Sequence, residues 1–274
     1  MKIFGICLIK NEADCIEEIL SKASTWCDKI FVFDTGSDDD SWEKVLSLAR
    51  ENHIIIPFKK EKRKFRDELR AEVFNNYKHL AQDGDWWCRL DADEIYIDNP
   101  RHFLKQIPKS QHVVWNASFQ YYFTEVEKSV FEQSPDSFDK MELEGRIKYY
   151  LCNHSEIRFF KFRSRLTWKN GSWPRHLGIT ACQRIKLKHY QYRSPSQMQK
   201  RLVTRLIAIQ EGYHVFASYT KGTHWEQSIK DSNTLKLDDG SKNYSYDNGL
   251  LPKHIERWDK RLLKYILHTV GIFP

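Results

Sequence analysis

The first half of the chain alternates between short apolar runs and segments whose apolar residues recur at helical spacing. The apolar runs predict buried strands at 3–9, 29–33, 54–58 and 86–91. The segments between them predict helices, because their apolar residues share one face. Those faces are Ile16, Ile19, Leu20 and Ala23; then Trp42, Val45, Leu46 and Ala49; then Phe65, Leu69, Val73 and Tyr77. The order β-α-β-α-β-α-β predicts an α/β fold in which crossover helices connect the strands of a central sheet.

The second half of the chain is less regular. Apolar and polar residues alternate over 112–124, which predicts a half-buried strand. The polar stretch 125–145 has no periodic signal and is expected to be a loop. Ser194-Pro195 opens a helix that Gly212 ends, and 213–250 is weakly patterned. Further strand-like runs occur at 147–152, 157–162 and 185–192.

Composition describes an ordinary globular protein with a basic balance. The 274 residues carry a formal net charge of +7, which favours anionic partners such as phosphorylated ligands. The six cysteines show neither Cys-x-x-Cys pairs nor zinc spacing, so we expect buried, reduced thiols. The chain enters a strand at once and has no apolar run of about 18 residues or more, so we expect neither a signal peptide nor a spanning helix. These features predict a cytoplasmic protein.

Acidic residues follow two of the predicted strands. Asp34 ends the second strand, and Asp91, Asp93 and Glu94 follow the apolar run that begins at Trp86. Carboxylates this close repel one another unless a cation or hydrogen-bond donors compensate them. An Asp-x-Asp at a strand end suits a hard divalent cation that also binds a diphosphate. The alternative is a solvated acidic loop, but two acidic strand ends at the ligand-binding edge of an α/β sheet favour a site.

Three motifs in this order resemble the nucleotide-sugar glycosyltransferases of the GT-A fold, specifically the family 2-like group. The first is the strand leading into Lys-Asn-Glu at 6–12. The second is the Asp-Thr-Gly-Ser-Asp turn within 32–39, and the third is the Asp-Ala-Asp-Glu signature within 90–94. Together they cover roughly residues 1–125.

The resemblance implies a fold, a division of the chain and a reaction. The fold is a GT-A-like, Rossmann-like mixed central sheet flanked by helices, with a C-terminal helical extension. Residues 1–125 would bind the nucleotide-sugar, 126–193 would form the acceptor side, and 194–274 the extension. The reaction would be hexosyl transfer, with inversion, from a nucleotide diphosphate sugar to a saccharide or glycolipid acceptor. UDP is the expected nucleotide, and polysaccharide or lipopolysaccharide biosynthesis is the expected setting.

The same resemblance assigns roles to individual residues. Asp93 would be the direct ligand of Mn²⁺ or Mg²⁺ and the central catalytic residue, with Asp91 contacting the ribose or a metal-bound water. His189, in a His-Tyr segment, would complete the metal shell. The residues expected to bind the nucleotide-sugar are Lys10, Asn11, Glu12, Asp34, Gly36, Ser37, Arg70 and Asp91.

The acceptor side matches the family less well. Leu177 follows His176 where relatives carry a glutamate, which leaves the catalytic group on this side open. An inverting enzyme needs a base to remove the acceptor's proton. We expect Glu156 or His176 in that role, while other acidic residues in this part of the chain remain alternatives. These are Glu125, Glu127 and Glu144.

Other interpretations of the sequence remain open. An Asp-x-Asp site also occurs in metal-dependent phosphatases and phosphotransferases, although Glu94 departs from their pattern. The basic run 59–64 suits a non-enzymatic polyanion-binding module, but Glu61 interrupts it and no nucleic-acid fold pattern accompanies it. The basic amphipathic segment 253–274 fits either a helix that packs on the domain and shows its charges to water, which we expect, or a peripheral membrane contact.

Overall fold

The computed structural model describes residues 1–64, 66–210, 212 and 222–274. By their contacts they form two compact units. The first unit comprises Met1–Ser118, Asn153–Lys188 and Asp247–Pro274, and the second comprises Phe119–Cys152 and His189–Tyr246. The predicted division at residues 125 and 193 stays a prediction, because units defined by contact do not report which part binds donor or acceptor.

Four parallel strands form the centre of the first unit. Their order is β4-β1-β2-β3, and they are β1 (Ile3–Ile9), β2 (Lys29–Asp34), β3 (Ile55–Lys60) and β4 (Trp86–Asp91). All seven residues of β1 are buried, because this strand has a neighbour on both sides and helices cover the sheet. The predicted strand runs of the first half are thereby confirmed.

Three helices connect these strands, as the apolar spacing predicts. They are α1 (Ile16–Ser24), α2 (Ser41–Glu51) and α3 (Leu69–Tyr77). The predicted face of α1 is buried in full, at Ile16, Ile19, Leu20 and Ala23. Phe65, which we assigned to the third helix, lies outside the described residues, and that helix begins at Leu69.

Antiparallel strands extend the sheet of the first unit and make it mixed. Strand β8 (Ile157–Lys161) lies antiparallel between β4 and the first residues of β6 (Val113–Tyr122). The other elements are β5 (Glu94–Tyr96), α4 (Pro100–Gln106), β9 (Thr180–His189) and α9 (Trp258–Thr269). The prediction of a mixed α/β sheet flanked by helices is confirmed. None of the described helices combines the length and apolar character needed to cross a lipid bilayer.

The second unit contains helices where we expected a loop. The stretch 125–145 forms α5 (Glu125–Gln133), α6 (Pro135–Lys140) and α7 (Leu143–Arg146), so the loop prediction is wrong. The signal for α5 is its capping box, in which Thr124 and Glu127 satisfy backbone groups reciprocally. Later elements are β7 (Tyr149–His154), α8 (Pro195–Gln210) and β10 (Lys236–Leu237). The weakly patterned stretch 213–250 lies partly outside the described residues.

An aromatic core holds the second unit together. The hydroxyls of Tyr121 and Tyr244 both donate to Asp238 Oδ2, at 2.5 and 2.8 Å. The rings of Phe119 and Tyr150 pack against each other with centroids 5.4 Å apart. These contacts anchor the segment after β10, which sequence periodicity alone did not locate. All six cysteines are free; five are buried, as expected, and Cys182 is exposed.

Candidate active site

The three sequence motifs meet at one edge of the first unit's sheet. In the parallel register Ile9 of β1 pairs with Asp34 of β2, and Leu8 of β1 pairs with Asp91 of β4. The carboxyl ends of all three strands therefore lie side by side. The predicted convergence of Asp34 and Asp91 on one sheet edge is confirmed. In α/β sheets this edge is where ligands bind.

Asp34 begins a tight turn and keeps one carboxylate oxygen without a partner. Its Oδ1 accepts hydrogen bonds from the backbone N–H groups of Gly36 at 2.8 Å and Ser37 at 2.7 Å. The residue is 0% exposed, and its Oδ2 has no hydrogen-bond partner among the described residues. A buried carboxylate oxygen without a hydrogen-bond donor lowers the stability of the fold, and a bound ligand could supply the donor.

The Lys-Asn-Glu segment after β1 is tied to this turn. The N–H of Asn11 donates to Ser37 Oγ at 2.9 Å, and Asn11 Oδ1 accepts from the N–H of Asp38 at 2.9 Å. Asn11 has a φ of +59°, a left-handed conformation that asparagine tolerates better than most residues. The N–H of Glu12 donates to Ser41 Oγ at 2.8 Å. The first two motifs thus form one hydrogen-bonded structure, with Lys10 directly after the strand.

Position 36 requires a glycine for two reasons, its backbone conformation and the close approach of Lys62. Its φ is +102°, and a Cβ there would stand 2.8 Å from Lys62 Cα. The backbone after β3 lies over the turn, since the N–H of Glu61 donates to the carbonyl of Asp34 at 2.9 Å. A side chain at 36 would therefore displace backbone beside Asp34.

We expect Gly36→Ala to destabilise the protein more than Gly84→Ala. Gly84 has a similar φ of +95°, but no atom of the described residues lies within 4 Å of the position that a Cβ would take. The variant Gly84→Ala therefore measures only the cost of placing a side chain in this backbone conformation, about 1–2 kcal/mol. Gly36→Ala adds the clash with Lys62 to that cost. Urea unfolding of both variants measures the difference. Equal destabilisation would show that the chain after β3 does not press on the turn.

The first aspartate of the signature, Asp91, is bound by arginines. Arg70 Nη2 donates to its Oδ1 at 2.5 Å, and Arg158 Nη1 donates to its Oδ2 at 2.6 Å. Arg89 Nε lies 3.4 Å from the same Oδ2. Arg70, only 1% exposed, also donates to Asp67 Oδ1 at 2.7 Å. Both oxygens of Asp91 are therefore engaged by cations within the protein.

Arg158 joins three carboxylates from a fully buried position on β8. Besides Asp91, its guanidinium donates through Nη2 to Glu94 and, at 2.8 Å, to Glu156. Arg89 Nη1 lies 3.2 Å from the other oxygen of Glu156. We call this group the arginine–carboxylate cluster. Its members are Asp67, Arg70, Arg89, Asp91, Glu94, Glu156 and Arg158.

The cluster combines four carboxyl groups with three guanidinium groups, and the pKa values of its carboxyl groups move in opposite directions. Burial opposes ionisation of Asp91, but the three arginines outweigh it and hold its pKa well below the usual range. Burial likewise opposes ionisation of Glu156, but Arg158, a hydrogen bond from His154 and Arg89 hold its pKa below the usual range. Burial raises the pKa of Glu94 well above its usual range, and the neighbouring carboxylates add to the rise.

Asp93 lies between two members of the cluster, Asp91 and Glu94, in the chain and is the candidate metal ligand at this edge. It is 6% exposed, and its charge is among those that raise the pKa of Glu94. Asp93 adds a carboxylate to the edge where Asp34 and Asp91 end their strands. Mg²⁺ and Mn²⁺ favour such hard oxygen donors and commonly bind through one or two carboxylates plus substrate phosphates. The donor chemistry of this edge therefore fits a divalent cation.

A second group of ligand-type side chains lies close to the signature loop. Among the residues that the structure describes, Glu12, Asp14 and Cys15 have ligand atoms within 4.8 Å of one another. The Cys15 thiol also donates to the carbonyl of Ala92 at 3.2 Å, which ties the start of α1 to the loop between the two signature aspartates. A thiol is a soft donor, so this group suits Mg²⁺ or Mn²⁺ less well than Asp93 does.

The contacts of the two predicted histidines, His176 and His189, are as follows. His176 stacks on Phe273 with ring centroids 4.0 Å apart, and its carbonyl accepts from Arg163 at 2.9 Å. Neither partner belongs to the arginine–carboxylate cluster, whereas Glu156 does. His189 ends β9 in the second unit and is partly buried. The roles given to these residues stay predictions.

Sequence reasoning missed Arg89 and Arg158. Each lies within an apolar strand, in Trp86–Asp91 and Ile157–Lys161, where a charged residue is unexpected. A long cation inside a buried strand needs an anionic partner, and that was the available signal. The partners themselves could not be read from the pattern, because Arg158 and Asp91 are 67 positions apart.

No protein-family model and no curated protein matches the sequence. Solved structures that are similar include a mannosyltransferase from Pyrobaculum calidifontis in complex with GDP-Man and Mn²⁺, at 13% identity and a TM-score of 0.40 over 81% of this chain and 65% of that one. Another is glucosyl-3-phosphoglycerate synthase from Mycobacterium tuberculosis with phosphoglyceric acid, at 16% identity and a TM-score of 0.31 over 58% and 56%. S. aureus TarS 1-349 is similar at 12% identity and a TM-score of 0.34 over 77% and 65%. The chain thus spans less than two thirds of the length of these structures, and similarity at this level assigns it neither a donor nor an acceptor.

Proposed function

We propose that this protein is a metal-dependent glycosyltransferase of the GT-A type that moves a sugar from a nucleotide diphosphate sugar to a saccharide or glycolipid acceptor. The observation that carries the proposal is the buried Oδ2 of Asp34, which has no hydrogen-bond partner in the described part of the chain, at the same sheet edge as Asp91 and Asp93. One carboxylate is placed to accept a hydrogen bond, and a second acidic group suits a cation. A nucleoside diphosphate offers a donor for the first and phosphate oxygens for the second.

The turn at Asp34 is the proposed binding site of the base. Uracil presents its ring N–H, and guanine presents a ring N–H and an amino group, to a carboxylate acceptor. Asn11 and Ser37 hold the surrounding backbone, and Lys10 and Glu12 flank Asn11 in the chain. UDP remains the expected nucleotide, and hexosyl transfer with inversion remains the expected reaction.

Asp93 is the proposed direct metal ligand. The two oxygens of Asp91 already bind guanidinium groups, and three nearby arginines would repel a metal dication. We therefore assign Asp91 to the ribose or to a metal-bound water, and Arg70 to holding Asp91 rather than to binding phosphate directly. Bound Mn²⁺ or Mg²⁺ would neutralise the charge that grows on the departing diphosphate. His189 stays a proposed additional ligand.

The catalytic base is proposed to be His176. Glu156 was another candidate, but Arg158 and Arg89 keep it anionic and its pKa low, which makes it a weak proton acceptor near neutral pH. Glu125, Glu127 and Glu144 remain alternatives. We assign Glu156 to the arginine–carboxylate cluster, where it helps to position Asp91. The free cysteines suit a reducing compartment, so a cytoplasmic location remains our proposal.

The contacts do not favour either of the alternative functions, an Asp-x-Asp phosphatase or phosphotransferase and a polyanion-binding module. An Asp-x-Asp phosphatase needs Asp91 as a nucleophile, and its oxygens are bound by arginines. In the basic run 59–64, Lys59 and Arg63 both pair with Glu61 and Glu72, which reduces the charge available to a polyanion.

We expect Asp34→Asn to weaken nucleotide binding by about ten- to a hundredfold, the loss typical of a hydrogen bond to a charged group. The amide oxygen can still accept from Gly36 and Ser37, so the turn survives, but an N–H₂ group then faces the donor of the base. Calorimetric titration of UDP and GDP with Mn²⁺ measures the change. Asp40→Asn is the control, because Asp40 is exposed and its side chain makes no capping bond. Unchanged affinity in Asp34→Asn would remove Asp34 from the base site.

A further inference from the structure

The C-terminal helix α9 packs on the first unit with its basic side. Arg261 Nη1 donates to the carbonyl of Thr180 at 2.7 Å, and Lys264 Nζ donates to the carbonyl of Gly178 at 3.0 Å. Lys264 also pairs with Glu256 at 2.7 Å. The expected packing of this helix is confirmed, and Arg257 and Lys260 are exposed, but Arg261 and Lys264 hold the helix to the protein rather than facing water. The reason is that carbonyl groups at the start of β9 and the carboxylate of Glu256 accept these donors.

The opposite side of α9 is apolar and exposed. Trp258, Leu262 and Ile266 follow one another at intervals of four residues and form a stripe along the helix. Trp258 is 78% exposed, and the other apolar residues of this surface, which are listed below, are between 47% and 65% exposed. We call this surface the α9 face. It consists of Trp258, Leu262, Leu263, Tyr265, Ile266, Val270 and Ile272.

An apolar surface of this kind indicates a binding partner. Single exposed apolar residues are common, but a contiguous apolar face on a helix usually marks an interaction site. Burying a side chain of the size of Leu or Ile is worth about 1.5–3 kcal/mol. The helix has 12 residues, so it is about 18 Å long, too short to span a bilayer but long enough to lie on one.

The charged residues near the α9 face indicate what kind of partner it binds. Lys253, Arg257 and Lys260 of the same segment are exposed, whereas its two acidic residues pair with its own cations. Glu256 binds Arg261 and Lys264, and Asp259 lies 3.2 Å from Arg257. A second copy of the chain would bring the same cations together in a symmetric contact, which disfavours self-association. An anionic surface complements both the cations and the apolar stripe.

We propose that the α9 face binds the surface of an anionic lipid bilayer. The apolar stripe enters the boundary between headgroups and acyl chains, and the flanking cations contact the headgroups. Trp258 suits that boundary because its ring is apolar and its N–H is polar. This binding does not depend on the proposed transfer reaction, so a chain without transferase activity would still bind membranes through α9.

Vesicle flotation of the full chain tests the proposal. We expect binding to vesicles of phosphatidylcholine with phosphatidylglycerol, and at least about tenfold weaker binding to phosphatidylcholine alone. The double variant Trp258→Ser, Leu262→Ser should lose at least about tenfold of the affinity for the anionic vesicles. Val203→Ser with Ile207→Ser on α8 is the matched control, because these residues are also exposed and four positions apart. It should bind as the unmodified chain does.

Three results would overturn the proposal. One is the absence of binding to either vesicle, and another is undiminished binding of the Trp258, Leu262 variant. The third is a dimer, seen by sedimentation velocity, that this variant abolishes, because the face would then be covered by a second copy. Circular dichroism of each variant checks that the fold is retained, which we expect since the substituted side chains are exposed.

Discussion

Asp93→Asn is expected to lower the transfer rate at least about a hundredfold, the effect typical of removing one group that stabilises charge in the transition state. Asparagine keeps the size of the side chain but loses the negative charge that binds a divalent cation. The nucleotide released from a set of UDP-sugars, with and without added saccharides, measures the rate. Thermal unfolding of the variant, measured in parallel, separates a loss of the metal ligand from a loss of the fold.

Asp14→Asn is the control for this experiment. Asp14 belongs to the Glu12, Asp14 and Cys15 group, the other set of metal-ligand side chains near the signature loop. It is exposed, so its substitution should leave the fold and the rate unchanged. If Asp14→Asn lost the transfer rate and Asp93→Asn kept it, the metal would be bound by the group that contains Asp14, and the assignment to Asp93 would be wrong.

Arg158→Met is expected to lower the free energy of unfolding by about 3–5 kcal/mol, the cost of breaking a buried ion pair from one side. Arg158 is fully buried and bonds to Asp91, Glu94 and Glu156, so its removal leaves three carboxylates with less compensation. Such a loss is a large part of the stability of an ordinary domain. Urea unfolding measures it. A change below about 1 kcal/mol would show that the cluster does not stabilise the fold.

Two companion variants make the test of Arg158 specific. Arg257→Met removes an arginine that is 78% exposed and should change stability little. Adding Glu94→Gln to Arg158→Met should restore part of the loss, because it replaces the most buried of the carboxyl groups that Arg158 bonded. The pH dependence has a matching sign, because loss of Arg158 raises the folded-state pKa values of Asp91, Glu94 and Glu156 relative to those in the unmodified protein. The single variant is therefore destabilised least at low pH, where these groups are protonated in both proteins, and more as the pH rises.

The central part of the candidate site could be predicted from the sequence because its signals are local. Each acidic residue directly follows an apolar run, and strand order in a β-α-β chain brings the ends of neighbouring parallel strands together. The pairing of Ile9 with Asp34 and of Leu8 with Asp91 confirms that step. The hydrogen bonds that join Asn11 to Ser37 and Asp38 depend on backbone geometry and could not be read from residue types.

The arginine–carboxylate cluster and the orientation of α9 could not be predicted, for the same physical reason. Both depend on partners that are distant in sequence. Arg158 reaches Asp91 across 67 positions, and Arg261 reaches Thr180 across 81. The pattern of α9 defines an apolar side and a basic side, but only tertiary contacts decide which side faces the protein. For α5 a local signal did exist in the pair Thr124 and Glu127, and the polar composition of the stretch concealed it.

The most direct test of the central claim is calorimetric titration of UDP into the unmodified protein, first with Mn²⁺ and then with excess chelator. We predict saturable binding with Mn²⁺ that is lost with chelator. GDP in place of UDP would keep the metal-bridged site and change only the expected donor. Absence of binding by either nucleotide, or UDP binding that chelator leaves unchanged, would contradict a metal-bridged nucleotide site at Asp34 and Asp93.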